Sequence, residues 1–305
     1  MNVMMIGHTS SGKTTYMAAM YKIMNAGIQG YSIETPHKSA HNNLQHLSAS
    51  IKQGIYPKST DILTEYKFNL HFTGKSLIEF NWHDYRGGAL LQSTGSSPDV
   101  AELNRKIKES DAVIVFLDGD KMTESDSNNQ QKVRRLLFCI QQAVNDIDQS
   151  SIFPVSLVVT KGKRFDSINL FETPGFIAVK NLIDQINQNK NIQGLLTVTE
   201  INRIDILNVE FPFLFSMLFG IIKQQNEIVK KYNECLERAK GNAANANVFD
   251  DVFCFFSGHR TYRDLAYEKL ASLKVMNQNI EYLASNSANI KKILDDANQS
   301  RLYMF

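Results

Sequence analysis

The sequence predicts an α/β fold in which helices cover both faces of a doubly wound, mostly parallel β-sheet. Two short runs, AVIVFLD at 112–118 and PVSLVVT at 154–160, are apolar on both faces, as is typical of strands inside a parallel sheet. Segments with helical spacing separate most of the strands, and a glycine-rich loop joins the first strand to the first helix. This alternation predicts right-handed crossovers and a ligand at the carboxyl ends of the strands.

The hydrophobic pattern predicts six strands, most of them separated by helices. The predicted strands lie at 3–6, 65–72, 76–84, 112–118, 154–160 and 252–257. The predicted helices run from the glycine-rich loop to about residue 25, over 37–53, over about 130–148, and onward from about 262. The second and third strands alternate polar and apolar residues around a turn at 73–75, so we expect them to form a hairpin.

We expect one domain over 1–305, with 165–250 as a helical insertion before the last strand and 262–305 as a C-terminal helical segment. The most apolar run is FPFLFSMLFGII at 211–222, which is twelve residues long. A helix needs about 20 apolar residues to cross a bilayer. The run is therefore expected to be a buried helix, and no membrane span is predicted.

The charge balance and the cysteines limit the class of protein. The chain has 33 basic and 31 acidic residues, a net charge of +2, so no surface for nucleic acid and no polybasic membrane anchor is predicted. Its three cysteines form no C-x-x-C pair, which is typical of reduced thiols rather than of a disulfide framework or a zinc site. We therefore expect a cytoplasmic protein.

The stretch GHTSSGKT at 7–14 matches the pattern G-x-x-x-x-G-K-[ST] between a strand and a helix. In this phosphate loop, backbone N–H groups and the helix N-terminus bind phosphate oxygens. Lys13 would reach the β- and γ-phosphates, and the Thr14 hydroxyl would ligate Mg²⁺. The predicted nucleotide-binding residues of this region are Gly7, His8, Thr9, Ser10, Ser11, Gly12, Lys13, Thr14 and Thr15.

A D-x-x-G box, DYRG, begins at Asp84 at the end of a predicted strand. There the carboxylate can hold the water shell of Mg²⁺, and the Gly87 N–H can contact the γ-phosphate. A threonine from the loop before the strand pair should close over both, and Thr60 is the first candidate, with Ser59 and Thr64 as rivals. Lys13, Thr60, Asp84 and Gly87 are the predicted catalytic residues, and Thr14, Thr60 and Asp84 the predicted magnesium residues.

Base recognition is expected after the strand 154–160, where a GTP-binding protein keeps its [NT]-K-x-D box. Thr160 and Lys161 fill the first two positions, and the lysine stem would stack on the base. The aspartate that would accept from the guanine N–H groups is replaced by Lys163. Asp166 lies three residues farther on and could serve only if the loop bulges.

The order of these motifs resembles the translation-factor-related and Ras-like class of P-loop GTPases over roughly 1–165 and 250–290. Ser257 and Gly258 follow the last predicted strand, where a backbone N–H would contact the guanine carbonyl. More narrowly, GHTSSGKTTYMAAMY and HDYRGG are similar to the bacterial double-GTPase group. The resemblance implies a regulatory, two-state protein that binds GTP or GDP with Mg²⁺, acts with a protein effector or activator, and could form homo- or hetero-oligomers.

Two departures from the class leave alternatives open. Lys163 replaces the base-reading aspartate, and Gly88 stands where Ras-like proteins keep the glutamine that orients the attacking water. One alternative is an ATPase in which Asp118, at the end of AVIVFLD, contacts Mg²⁺. Another is a nucleotide-binding scaffold with little hydrolysis, whose helical segments serve as an interaction surface.

Overall fold

A computed structural model describes residues 1–57, 64–85, 98–145, 152–245, 262–297 and 302–305. The strands, in chain order, are β1 (Asn2–Gly7), β2 (Tyr31–Glu34), β3 (Thr64–Phe72), β4 (Lys75–Asp84), β5 (Ala112–Asp118), β6 (Phe153–Thr160), β7 (Ile192–Val198), β8 (Glu200–Ile201), β9 (Ile206–Leu207) and β10 (Leu302–Met304). The helices are α1 (Lys13–Ala26), α2 (Lys38–Lys52), α3 (Pro98–Glu109), α4 (Gly119–Thr123), α5 (Ser127–Asn145), α6 (Phe176–Gln188), α7 (Glu210–Asn245) and α8 (Tyr262–Ala297). Two 3₁₀ turns, Gly162–Asp166 and Leu170–Glu172, lie between β6 and α6.

Eight strands form a mostly parallel sheet in the order β10-β7-β6-β5-β1-β4-β3-β2. The five central strands, β7 to β4, run parallel to one another, while β3, β2 and β10 pair antiparallel at the two sides. This confirms the predicted doubly wound α/β class. The carboxyl ends of β1, β4, β5, β6 and β7 therefore meet at one edge of the sheet, where open α/β sheets bind their ligands.

Large apolar side chains pack on the sheet and hold the helices to it. On one face, α3, α5 and α6 bury residues such as Leu103, Ile140 and Val179. In another part of the core, Tyr16 of α1 packs edge-on against Phe116, with ring centroids 4.9 Å apart, and its hydroxyl donates to the Val209 carbonyl at 2.6 Å. These contacts fix the first helix, and with it the preceding loop, against the sheet.

The apolar run at 211–222 lies in α7, as predicted for a buried helix. Phe213 is fully buried and stacks on Trp82 of β4 at a centroid distance of 5.8 Å. No helix in the described part of the chain is long and apolar enough to cross a membrane.

The segment before the final strand is largely helical, as predicted, but treating all of 165–250 as helical and irregular was wrong. It also contains the strand β7, which pairs in parallel with β6 in the main sheet. The short strands β2 and β10 and helix α3 were likewise missed. The predicted strand at 252–257 lies outside the described residues.

The described residues form two compact units. One comprises Met1–Gly220 and Ile290–Phe305 and contains the whole sheet. The other, Ile221–Asn289, consists of the later part of α7 and most of α8, and the Cys235 thiol there lies 3.9 Å from the Lys269 carbonyl. The single domain over 1–305, with its insertion at 165–250 and its C-terminal segment at 262–305, stays a prediction.

Candidate functional site

The phosphate loop connects β1 to α1 and depends on two glycines. Gly12, with φ of 88°, is left-handed at the N-terminus of α1. A Cβ at Gly7 would lie 2.6 Å from the Ser11 Oγ and 2.8 Å from the Phe116 carbonyl oxygen, so only glycine fits there. The loop can therefore pass close to β5 while it turns its backbone into the helix.

Lys13 is folded back over the loop. Its ammonium group donates to the Gly7 carbonyl at 2.9 Å and lies 3.4 Å from the His8 carbonyl. Only 9% of the residue is exposed, and burial lowers the pKa of Lys13, an effect that the carboxylate of Asp84 opposes. A buried cation is thus held where the phosphate-loop motif binds its phosphates.

Asp84 lies beside the start of α1 because β4 runs parallel to β1, with Met5 opposite Asp84. The Thr14 hydroxyl donates to the Asp84 Oδ2 at 3.3 Å. The other carboxylate oxygen, Oδ1, is buried and accepts no hydrogen bond from the described residues. Burial raises the pKa of Asp84, although the charge of Lys13 and the hydrogen bond from Thr14 lower it in part.

These groups fit a magnesium site of the kind that shares its ligands with a nucleotide. Mg²⁺ in such sites takes one or two protein oxygens and completes its shell with phosphates and water. The Thr14 hydroxyl and the unsatisfied Asp84 oxygen supply oxygens of this kind. Among the described residues, no group of three or more His, Cys, Asp or Glu side chains could hold a metal without a nucleotide.

His8 points away from the rest of the loop. Its ring Nε2 lies 2.7 Å from the carbonyl oxygen of Lys132 in α5, and burial lowers the pKa of the imidazole. Gly7 and His8 are not among the described residues that line the adjacent cavity, whereas residues 9–15 are. The His8 side chain therefore anchors the loop to α5.

Thr160 links the phosphate loop to the end of β6. Its hydroxyl lies 3.0 Å from the Ser11 carbonyl and 3.2 Å from the Leu117 carbonyl, both hydrogen-bond acceptors. The side chain is buried, and its methyl group would be 3.3 Å from a Cβ at Gly12. A residue predicted to bind nucleotide thus also holds the loop in place.

Lys161 begins a second cluster, at the ends of β5 and β6. Its ammonium group lies 2.8 Å from the Asp118 Oδ1 and 2.9 Å from the Asp120 Oδ2, and Arg164 pairs with the other oxygen of Asp120. Burial works to raise the pKa of Asp120, but Lys161 and Arg164 outweigh it and the pKa is lowered. Burial alone would lower the pKa of Lys161, but Asp118 and Asp120 outweigh burial, and the pKa of Lys161 is raised.

Asp118 is the carboxylate that the ATPase alternative requires. In the structure it pairs with Lys161 and accepts a hydrogen bond from the Asp120 N–H at 3.1 Å, which caps α4. Asp84, not Asp118, is the carboxylate that contacts Thr14. This arrangement gives no support to the role expected of Asp118 in an ATPase.

A cavity of about 510 Å³ joins the two clusters. Residues 9–15 line one end, which we call the phosphate end. The other end, which we call the base end, is lined by Asp120, Thr160, Lys161, Lys163 and Arg164 together with residues 199–202. Tyr56 and Pro57, which follow α2, also contribute. The volume falls within the range of small-ligand sites.

Residues 199–202 were missed by sequence reasoning. They follow β7, and because β7 neighbours β6 in the sheet, their loop emerges beside Lys161. The Gly162 N–H donates to the Thr199 carbonyl at 2.9 Å, and the Lys163 N–H donates to the Glu200 carboxylate at 2.7 Å. The run IQGLLTV was the available signal, but a short apolar run does not distinguish a strand from a helix.

Several predicted site residues lie outside the described residues, namely Ser59, Thr60, Gly87, Gly88, Ser257 and Gly258. Of the rivals to Thr60, Thr64 begins β3 and pairs with Asp84 in the antiparallel register. Asp166, the possible substitute for the base-reading aspartate, ends the first 3₁₀ turn and is not among the described residues that line the cavity.

Residues 4–157, just over half of the chain, match the family model described as Double-GTPase 1. The chain belongs to this GTPase family. The match confirms the resemblance to the double-GTPase group, and it covers the phosphate loop and Asp84 but ends before Thr160. The family membership identifies the chain as a P-loop GTPase in family and fold.

Comparison with solved structures gives distant similarities. The bacterial selenocysteine-specific elongation factor EF-Sec is 12% identical at a TM-score of 0.36, over 72% of this chain and 28% of that one. A chain of the signal recognition particle receptor SRb-GTP/SRX complex from Chaetomium thermophilum is 13% identical at a TM-score of 0.40, over 66% of this chain and 90% of that one. The G domain of the T. maritima FeoB iron transporter is 12% identical at a TM-score of 0.30, over 65% of this chain and 86% of that one. No curated protein matches the chain.

Proposed function

We propose that this protein is a guanine-nucleotide switch that binds GTP with Mg²⁺ and hydrolyses it slowly to GDP and phosphate. The observation that carries the proposal is the phosphate end, where Lys13 and Thr14 line the cavity and the Thr14 hydroxyl donates to Asp84 behind them. The cavity extends to a base end, as a nucleoside triphosphate requires. The family match to residues 4–157 supports guanine as the base.

Each group at the phosphate end has a distinct role in this proposal. The N–H groups of the loop and the N-terminus of α1 would bind the phosphates, and Lys13 would neutralise charge on the β- and γ-phosphates. Thr14 and Asp84 would hold Mg²⁺, Asp84 through a water molecule. When bound, Mg²⁺ neutralises the negative charge that develops on the phosphate oxygens.

Two residues beyond the described part would complete the switch. Thr60 would close over the γ-phosphate side, and the Gly87 N–H would contact the γ-phosphate. Segments that order around a γ-phosphate and relax after hydrolysis are the usual basis of such switches. Thr60→Ala should therefore weaken GTP binding in the presence of Mg²⁺ and spare GDP binding.

Turnover is expected to depend on a partner. A Ras-like protein orients its attacking water with a glutamine directly after the D-x-x-G glycine, and this chain has Gly88 there. Glycine has no side chain that could orient water. A protein activator, or another subunit of a homo- or hetero-oligomer in the cytoplasm, would then supply the missing group, and the bound state would be read by an effector.

The alternatives carry less support. The ATPase hypothesis used Asp118 for Mg²⁺, and that carboxylate is paired with Lys161. The scaffold hypothesis shares the binding site but predicts no stimulated turnover. The family match and the Thr14–Asp84 contact favour GTP over ATP as the ligand, and only a measurement of turnover separates the switch from the scaffold.

Single-turnover hydrolysis of GTP by the isolated full chain tests the proposal. We expect a rate no faster than the intrinsic Ras rate, on the order of 10⁻⁴ s⁻¹, because glycine rather than glutamine follows Gly87. A rate above about 1 s⁻¹ that is lost in Asp84→Ala would contradict the dependence on a partner. Absence of GTP binding, measured by calorimetry on the same sample, would contradict the proposal as a whole.

A further inference from the structure

The base end of the cavity contains a carboxylate at the place where the sequence lacks one. Lys163 occupies the position of the aspartate that reads guanine in the [NT]-K-x-D box. We propose that Glu200, the first residue of β8 directly after β7, supplies the carboxylate that accepts the guanine N1–H and N2–H₂. This inference rests on the proposed function, because it names the residue that selects the base of the same nucleotide.

Glu200 is positioned by a hydrogen bond from Lys163, the residue that stands in place of the base-reading aspartate. Its Oε2 accepts the Lys163 N–H at 2.7 Å, so the carboxylate lies directly against the main chain of the substituted position. Its Oε1 accepts the Asn202 side-chain amide at 2.9 Å. A carboxylate offers about four acceptor sites, so two hydrogen bonds orient it and leave capacity for a ligand.

The two loops that meet here are fixed to each other. The Thr199 N–H donates to the Val159 carbonyl at 2.8 Å, and the Gly162 N–H donates to the Thr199 carbonyl at 2.9 Å. A Cβ at Gly162 would lie 2.8 Å from the same Thr199 oxygen, so the backbones pack too closely for any other residue. The backbone just before Glu200 is therefore fixed against the backbone that follows Lys161, the residue expected to stack on the base.

The charge of Glu200 distinguishes it from the other acidic residue of the base end. Both oxygens of Asp120 form ion pairs, one with Lys161 and one with Arg164. The hydrogen bonds to Glu200 come from a backbone N–H and an amide, which are neutral. The described residues form no ion pair with Glu200, so its carboxylate is open to a hydrogen-bond donor of a ligand, whereas Asp120 is already paired with two cations.

This chemistry selects guanine. Guanine presents two adjacent donors, N1–H and N2–H₂, which a carboxylate can accept together. Adenine presents an acceptor at N1, which a carboxylate repels, and xanthine carries a carbonyl in place of the 2-amino group. A base that lacks one of these donors leaves the carboxylate partly unpaired, and we expect this to weaken binding roughly tenfold to a hundredfold.

The test is the binding of GTP, ATP and xanthosine triphosphate (XTP) to the full chain with Mg²⁺, in the wild type and in Glu200→Gln. A glutamine amide can donate to the xanthine carbonyl but cannot accept both guanine donors. We expect Glu200→Gln to weaken GTP at least tenfold and to strengthen XTP at least threefold, by competition with a labelled nucleotide. A gain of XTP binding cannot come from a misfolded loop.

Glu172→Gln is the matched control, since it neutralises an exposed glutamate of the neighbouring 3₁₀ turn, outside the cavity-lining set. It should leave the GTP to XTP ratio unchanged. An unchanged GTP to XTP ratio in Glu200→Gln would overturn the assignment to Glu200. The same exchange of preference in Asp166→Asn would overturn it as well. In either case a wild type that prefers GTP to ATP leaves the proposed function standing. A wild type that binds ATP as tightly as GTP would overturn both.

Discussion

The two ends of the cavity are built in different ways. The phosphate end comes from one continuous stretch, residues 9–15, which belongs to the loop between β1 and α1 and to the first turn of α1. The base end is assembled from side chains that follow three different strands, β5, β6 and β7. A phosphate site can thus be encoded locally, whereas base selection depends on which strands are neighbours in the sheet.

The two ends also differ in the electrostatics of their aspartates. At the phosphate end burial dominates, and the pKa of Asp84 is raised. At the base end burial acts in the same direction on Asp120, but Lys161 and Arg164 outweigh it, so its pKa is lowered. Asp84 is costly to keep charged without a cation, whereas Asp120 is stabilised in its charged form. The proposed magnesium site would account for this difference, because a bound cation would compensate the charge of Asp84 as Lys161 and Arg164 compensate that of Asp120.

The largest expected effect is at the phosphate end. Lys13→Ala should lower the affinity for GTP at least tenfold, because it removes a charged contact to phosphate of about 1.5–3 kcal/mol. Calorimetry with Mg²⁺ and GTP measures the change. Lys22→Ala, in the same helix α1 and outside the cavity-lining set, is the control and should bind GTP as the wild type does. Equal affinity in the two variants would mean that phosphate binds elsewhere.

A smaller effect is expected where the two ends join. Thr160→Val removes the hydroxyl that bonds the Ser11 and Leu117 carbonyls, and it should lower the free energy of unfolding by about 1 kcal/mol. GTP affinity should fall a few-fold because the loop loses a support. Urea denaturation checks the first effect and calorimetry the second.

Thr197→Val provides a matched control for this change. The Thr197 hydroxyl is buried in β7 and has no hydrogen-bond partner among the described residues. Its removal should leave stability unchanged or raise it, since an unsatisfied polar group leaves the core. If both variants lose the same stability, the Thr160 hydrogen bonds are not the cause.

The smallest expected effects have opposite signs at the two ends. The pKa of Asp84 is raised, so its contribution to the stability of the nucleotide-free protein is present below the unfolded pKa and lost as pH rises through the folded one. The pKa of Asp120 is lowered, so its contribution is present above the unfolded pKa and lost as pH falls through the folded one.

Urea denaturation of wild type, Asp84→Asn and Asp120→Asn between about pH 3 and 7 measures these contributions. The stability of wild type minus that of Asp84→Asn should fall as pH rises. The corresponding difference for Asp120→Asn should grow. Slopes of the same sign would show that the two aspartates do not differ in environment as described.

The contrast between a locally encoded end and an end assembled from several strands also explains which features could be predicted from the sequence. The phosphate loop, β1, α1, the hairpin ending at Asp84 and the buried strands β5 and β6 were predicted because each has a local pattern. The anchoring of His8 on α5 and the pairing of Lys161 with Asp118 were not, since both join residues far apart in sequence. Glu200 was not predicted as a site residue, because it reaches the cavity only through the pairing of β7 with β6, which no local pattern indicates.

The central claim is that this cavity selects guanine nucleotides, and a competition experiment with the wild-type chain tests it most directly. Labelled GTP is bound in the presence of Mg²⁺ and displaced with unlabelled GTP or ATP. We expect ATP to require at least ten times the concentration of GTP, because the proposed carboxylate at the base end would pair with guanine and repel the N1 atom of adenine. Displacement by ATP at the same concentration as GTP would contradict the account.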